Sequence, residues 1–286
     1  MKRRRPHWIF AAAVLLLGAL GFAVPQSAAA QQFTDAMVKR ALSHEMNSAR
    51  DPQHPMRYTL RKASPRLTQT KEIFETRDGN VARLVRLNDQ PLTADDAAKE
   101  EARLNALLAE PGRQQRRKQS EDADTARAMK VLRVLPQAFL YQFSGVSEGP
   151  TGRTARFAFK PNPKFDPPDL ETQVLKSMTG EIWIDTQHER VVRLEGHLDD
   201  DVDFGWGILG RLYKGGWVVI EQADVNGGQW RITRFQMKMQ GRVVFKNKSF
   251  DTLEETHSYT PLPVGLGYAK AIEMLRGGAV ASGKAM

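Results

Sequence analysis

None of the 286 residues is cysteine. That absence excludes disulfide frameworks, Cys-ligated zinc, iron–sulfur clusters, thiol catalysis and the lipidated cysteine of a bacterial lipoprotein. Histidine is scarce. Past His7 there are His44, His54, His188, His197 and His257, and no two of them stand at a short metal-ligand spacing. No cofactor and no metal site are therefore expected. Beyond residue 30 no apolar run is long enough to cross a bilayer.

What is present begins with a cationic start. Lys2, Arg3, Arg4 and Arg5 precede an apolar run from Trp8 to Val24, and Ala28-Ala29-Ala30 supplies the small residues a signal peptidase reads. The pattern predicts a secretory signal peptide over 1–30, cleaved after Ala30, and a periplasmic location; an uncleaved anchor helix is the alternative. From Gln31 onward 38 Lys and Arg face 33 Asp and Glu, a surplus of 5. Part of it is local, at Arg113, Arg116, Arg117 and Lys118, beside Glu121, Asp122 and Asp124. Such a run reads as a solvated helix or loop rather than a contact for lipid or a partner. Nucleic acid is not an expected partner.

The remaining chain divides by periodicity. Phe33 to Asn47 has Met37, Ala41 and Leu42 near helical spacing. Ile73–Arg77 and Val81–Leu87 flank Asp78-Gly79-Asn80, a strong hairpin signal. Thr93 caps a helix that continues to Glu110, where Pro111-Gly112 is expected to stop it. A second helix is expected over Ala123 to Leu135, ended by Pro136. After it come alternating runs: 139–143, 155–159, 180–185, 191–198, 216–223, 230–239 and 243–257, with a short helix at 170–178 and a turn at Gln240-Gly241. Consecutive runs of this kind favour an antiparallel meander. A C-terminal helix is expected from Val264 to Arg276, followed by a frayed tail.

Three motif matches fail on context. Gly145-Val-Ser-Glu-Gly149 fits the nucleophile-elbow pattern, but leads to another strand and reads as a hairpin turn. Gly205-Trp-Gly-Ile-Leu-Gly210 has no parallel βαβ unit around it. Asp199, Asp201 and Asp203 start a calcium-loop spacing, yet Phe204 and Gly210 replace its glycine and its bidentate glutamate, which leaves only an irregular calcium site open. No nucleophile or base can be named, and no enzyme activity is expected.

The apolar chemistry is concentrated late. Trp183, Trp217, Trp230, Phe235, Met237, Met239 and Phe245 are the candidate residues for a hydrophobic ligand, with a parity slip between Ile232 and Phe235 that suggests a bulge. The 199–215 loop holds Trp206, Ile208, Leu209, Arg211 and Lys214, and is more apolar than a hairpin tip needs to be. It either packs under the helical cover, the favoured reading, or touches a membrane or partner surface, at most peripherally.

The order of these features, from the helix at Phe33 through the Asp78-Gly79-Asn80 hairpin and the inserted helices to Gly180-Glu-Ile-Trp-Ile-Asp185 and Phe235-Gln-Met-Lys-Met239, resembles the periplasmic outer-membrane lipoprotein-sorting carrier superfamily. The resemblance implies an α+β fold in which a strongly curved antiparallel sheet, an incomplete β-barrel, is covered by inserted helices. It also implies carriage of acyl chains without catalysis or cofactor. The expected organisation is a signal peptide over 1–30, a carrier-like domain over 31–263 with a helical insertion about 93–135, and a C-terminal helix and tail over 264–286. The expected partner is a hydrophobic ligand or lipidated protein. The rival reading is an envelope scaffold or sensor that binds a protein partner and has no ligand cavity.

Overall fold

The computed structural model describes residues 33–48, 53–149, 151–205, 209–244 and 246–282. The expected signal peptide, its cleavage point, Trp206, Ile208 and Phe245 lie outside these residues. Among the described residues no helix is long and apolar enough to cross a membrane.

Helix α1 (Asp35–Ser48) leads into a four-strand meander: β1 (Met56–Ser64), β2 (Leu67–Phe74), β3 (Val81–Leu87) and the short β4 (Gln90–Pro91). Helices α2 (Ala94–Ala109) and α3 (Pro111–Ala138) follow. The chain then returns through β5 (Phe139–Gly149), β6 (Gly152–Pro161), a 3₁₀ turn (Thr172–Ser177), β7 (Met178–Asp185) and β8 (Val191–Leu198). Short strands β9 (Val202–Phe204) and β10 (Gly210–Leu212) precede β11 (Trp217–Asp224), β12 (Trp230–Val243), β13 (Lys246–Pro261) and helix α4 (Tyr268–Ser282).

All pairings are antiparallel in one 13-stranded sheet, ordered β4-β3-β2-β1-β13-β12-β11-β8-β7-β6-β5 with β9 and β10 to the side. Two meanders are thus joined where β1 pairs with β13. The two edge strands, β4 and β5, do not pair, so the curved sheet stays open. Helices α2 and α3 are the link between those two edges, and α3 crosses one face of the sheet.

The helical linker departs from expectation in two places. Helix α2 stops before Pro111-Gly112 as expected, but α3 starts at once on Pro111 and not at Ala123, because a first-turn proline forgoes an N–H that has no intrahelical partner. The charged segment is itself helical, held by Arg113–Glu110, Lys118–Asp122 and Arg127–Asp124 pairs at i,i+3 or i,i+4 spacing. Nor does Pro136 end α3, which runs to Ala138. Its last carbonyls are taken: Tyr141 Oη donates to Leu135 O (2.9 Å), Asn162 Nδ2 to Gln137 O (2.9 Å) and Asn162 N to Ala138 O (2.8 Å).

The hairpin at Asp78-Gly79 forms as expected and docks on α3. Gln114 Nε2 donates to Asp78 O (3.0 Å), and Asn80 N donates to Glu121 Oε2 (2.9 Å). Gly79 has φ +93°, and a Cβ there would come within 3.0 Å of Lys118 Cβ. Both conformation and proximity require glycine. Gly145–Gly149, expected in a turn, belongs to strand β5. Gln240-Gly241 is likewise strand, inside β12. Gly241 marks a close approach rather than a turn: a Cβ would lie 2.5 Å from Arg211 O of β10.

Two hydrophobic cores result. The larger gathers α1, the C-terminal half of α3 and β5–β8 around Phe157, Ile182, Ile184, Val38 and Leu42. The smaller packs Leu104 and Leu107 of α2 with Ile272 and Leu275 of α4 against Phe74 and Val81. The expected C-terminal helix is therefore a core element, and it extends to Ser282.

Candidate functional site

Between α3 and the sheet lies an open cleft of about 1300 Å³. That exceeds the roughly 300–1,000 Å³ of a pocket for a compact small molecule. Its roof is one stripe of α3, with Ala128, Met129, Val131, Leu132 and Leu135. These residues share a face because helical positions three and four apart lie above one another. Its floor comes from five strands, with Leu60 on β1, Leu194 on β8, Ile220 on β11, and Trp230, Ile232 and Phe235 on β12, beside β13. Ile232 remains 49% exposed, as an apolar residue in an open cleft would be.

The floor depends on one bulge. Along β12, Arg234 pairs with Glu221 while Ile232 pairs with Gln222, which leaves Thr233 as the extra residue. Side chains alternate faces along a strand, so Trp230 and Ile232 would point away from Phe235 without that insertion. The bulge places all three on the cleft side. The parity slip in the sequence is this feature.

Charged groups at the rim have hydrogen-bond partners within the protein. Glu45 of α1 accepts from Arg190 Nε (2.9 Å), Arg190 Nη2 (2.7 Å), Val191 N (3.1 Å) and Gln222 Nε2 (2.7 Å). The Arg190 guanidinium lies 5.5 Å from the Trp230 ring centre. Farther along, Tyr58 and Tyr259 stack with ring centroids 5.0 Å apart. Glu75 accepts from Met56 N at 2.8 Å. Burial holds the Glu75 carboxyl above its ordinary range. Burial, and next the Glu75 charge, raise the Tyr58 phenol. Arg231 donates to His54 O (2.9 Å) and Trp230 O (3.2 Å). The cleft thus offers an apolar middle between polar ends whose groups have partners within the protein.

No family model matches the sequence. No curated protein matches it either. Solved structures similar to this chain include an outer membrane lipoprotein-sorting protein domain from Vibrio parahaemolyticus, at 11% identity and TM-score 0.30, covering 83% of this chain and 98% of that one. A DUF1329 family protein from Desulfovibrio piger ATCC 29098 is similar at 12% identity and TM-score 0.31, covering 81% and 95%. A LolA superfamily protein from Nitrosomonas europaea is similar at 7% and 0.29, covering 78% and 94%. The functional reading rests on the cleft itself.

The cleft takes up part of the expected residue set. Trp230 and Phe235 line it. Met237 and Met239 share the Phe235 face but lie farther along β12, opposite Val218 and Phe250. Trp183 and Trp217 are on the other face of the sheet. Trp183 stands in register with Arg156 and Arg193, the latter 5.4 Å from its ring centre, and Trp217 pairs with His197 and Lys238. That face is a charged ladder in which Arg193, Glu221, Arg234, Glu255 and Arg61 succeed one another across β8, β11, β12, β13 and β1.

In the 199–215 loop, Leu209 is exposed and Arg211 makes a bidentate pair with Asp203 (2.6 and 2.8 Å). Lys214 N donates to Asp201 Oδ1 (2.8 Å), and Asp199 Oδ2 accepts from Thr179 Oγ1 (2.7 Å). Each aspartate therefore has its own partner. Among the described residues no three His, Asp or Glu converge as metal ligands.

Sequence reasoning gave the helical cover but named none of its residues as ligand contacts, and it missed the Glu45–Arg190–Gln222 cluster. The Met129, Leu132 and Leu135 stripe was a usable signal for the roof. Glu45 and Arg190 are 145 positions apart, and no local pattern joins them.

Proposed function

We propose that the protein binds an elongated apolar ligand, an acyl chain of a lipid or of a lipidated protein, in the cleft between α3 and the sheet. The reading places it in the periplasm, as a carrier without catalysis. One observation supports it most: a cleft of about 1300 Å³ with an apolar middle, at whose end Glu45 and Arg190 neutralise each other. A ligand entering there need bring no charge of its own.

Burial supplies the affinity. Each methylene moved from water contributes about 0.8 kcal/mol, so ten methylenes give a gross gain of about 8 kcal/mol before the cost of ordering the chain. Release needs only that α3 and the sheet separate enough to readmit water, since no covalent or charged link holds the ligand.

The test is native mass spectrometry of protein recovered from a bacterial periplasm, before and after organic extraction, with uptake of a fluorescent fatty acid by the extracted protein. A stoichiometric lipid adduct lost on extraction, with saturable uptake afterwards, is expected. A clean mass and no uptake would overturn the reading in favour of a scaffold with a protein partner.

A further inference from the structure

Beyond Lys238, strand β12 leaves β11 behind and continues with β13 and the three-residue β10 as neighbours. The resulting hairpin ends at the Val243–Lys246 pair, and Val244 lies in the turn between them. Two-residue turns of this kind want left-handed backbone and the residues that tolerate it. The turn before β4 obeys, with Asn88 at φ +50° and Asp89 at φ +62°. At the long hairpin the position is Val244, at φ +55°. A β-branched residue there is strained. The turn itself does not call for the apolar side chain that it carries.

The surroundings indicate what does. Val244 N donates to Leu209 O at 3.1 Å, so the β9–β10 loop and the hairpin share one tip. Leu209 is 55% exposed, Val244 49%, Val243 47% and Phe250 41%. Residues 238–250 carry Lys238, Arg242, Lys246 and Lys248 and no carboxylate. Exposed aliphatic and aromatic side chains beside the exposed Lys246 and Lys248 match the interface of a bilayer with anionic headgroups.

We propose that this tip docks the protein on an anionic lipid bilayer. The register adds a consequence that rests on the cleft reading above. Val243, Lys246, Lys248 and Phe250 share a face with Met239, Met237 and Phe235, and Phe235 is cleft wall. Along β12 the apolar side chains of Phe235, Met237, Met239 and Val243 therefore run from the cleft to the tip, a path for a ligand between bilayer and cleft.

Residues Phe33–Met286 form one compact unit containing both cores. That unit is sedimented with vesicles of phosphatidylcholine, alone or doped with phosphatidylglycerol. The expected result is partition at least tenfold stronger into the anionic vesicles, weakened by salt, and lost by tenfold or more in the Lys246→Glu/Lys248→Glu variant. Val244→Asn separates binding from folding: asparagine tolerates the left-handed position, so the variant should melt no lower than wild type yet partition several-fold more weakly. Equal partition into neutral and anionic vesicles, or equal partition of wild type and Val244→Asn, would overturn the proposal. Fatty-acid uptake from solution without vesicle binding overturns docking and leaves the cleft reading standing. Vesicle binding without fatty-acid uptake supports docking and removes the cleft reading.

Discussion

Arg190 and Glu45 form a two-toothed ion pair, Nε to Oε1 at 2.9 Å and Nη2 to Oε2 at 2.7 Å, with side chains only 10% and 14% exposed. The neighbouring Arg40 and Glu189 form a second pair in the opposite sense, 2.8 and 2.7 Å, between the same helix and the same turn. Because Glu45 also accepts from Val191 and Gln222, one carboxylate ties α1 to β8 and β11 at the end of the cleft. The turn that presents Arg190 is itself held by Asp185, whose Oδ1 accepts from Gln187 N (3.0 Å) and His188 N (2.7 Å).

Breaking the inner pair from one side strands a charge in a half-dry site. Arg190→Ala is expected to cost about 3 kcal/mol in denaturant unfolding. The double variant with Glu45→Ala should cost about 1–3 kcal/mol less than the sum of the two single losses. Strict additivity would mean that the two residues do not interact. Arg40→Ala, at the exposed pair, should leave the melting temperature nearly unchanged.

The cleft should respond to volume and polarity. Leu132→Trp fills space under the roof and Phe235→Asp puts a carboxylate on the floor. Each should lower fatty-acid uptake, about 200-fold if four methylenes lose their burial. Circular dichroism should show an intact sheet in both. Undiminished uptake in both variants would show that the ligand lies elsewhere.

Acid and base act oppositely on two carboxyls. The folded state raises the Glu75 pKa through burial, so the folded form binds the extra proton. Stability is then lost as pH rises from about 4.3, the ordinary glutamate value, through the raised one. Glu75→Gln keeps an acceptor for Met56 N and should erase that loss. A melting profile from pH 4 to pH 8 that is parallel for both proteins would contradict the assignment.

Asp185 runs the other way. Burial would raise its pKa, but hydrogen bonds from Thr151 and from the backbone and ring of His188 outweigh it and hold the carboxyl below its ordinary range. Its stabilisation is present above about pH 4 and lost as pH falls through the depressed value. Asp185→Asn should cost about 2 kcal/mol at neutral pH and progressively less in acid. A cost that does not change with pH would show that the carboxylate form contributes nothing.

Gly241→Ala should cost about 1–3 kcal/mol, because the new methyl meets the Arg211 carbonyl of β10. A turn glycine at that position would tolerate the change far better. Thermal melting distinguishes the two.

Much of the architecture was legible in local pattern. The Asp78-Gly79 hairpin, the Thr93 cap, with Oγ1 accepting from Asp96 N at 3.1 Å, and the alternation in β6–β8 and β11–β12 all carry signals within a few residues. The bulge at Thr233 was legible as a break in parity. The misreadings share a cause. Pro136 and Gly241 look like terminators by residue type, but each is accommodated by partners outside its own segment: a C-terminus held by Tyr141 and Asn162, and a close-packed β10 strand.

By itself, then, the sequence determined the antiparallel strands, the helical insertion and the absence of thiol chemistry, because period-2 alternation, caps and composition act over a few residues. Tertiary structure decided which tryptophans line the cleft. Trp183 and Trp230 are equally apolar, and only strand register and one inserted residue set the face each occupies. It also decided the roof, since α3 crosses the sheet only because β4 and β5 are opposite edges. The Glu45–Arg190 pair exists for the same reason, as a contact between segments 145 positions apart that meet once β1 pairs with β13 and the sheet curves under the helices.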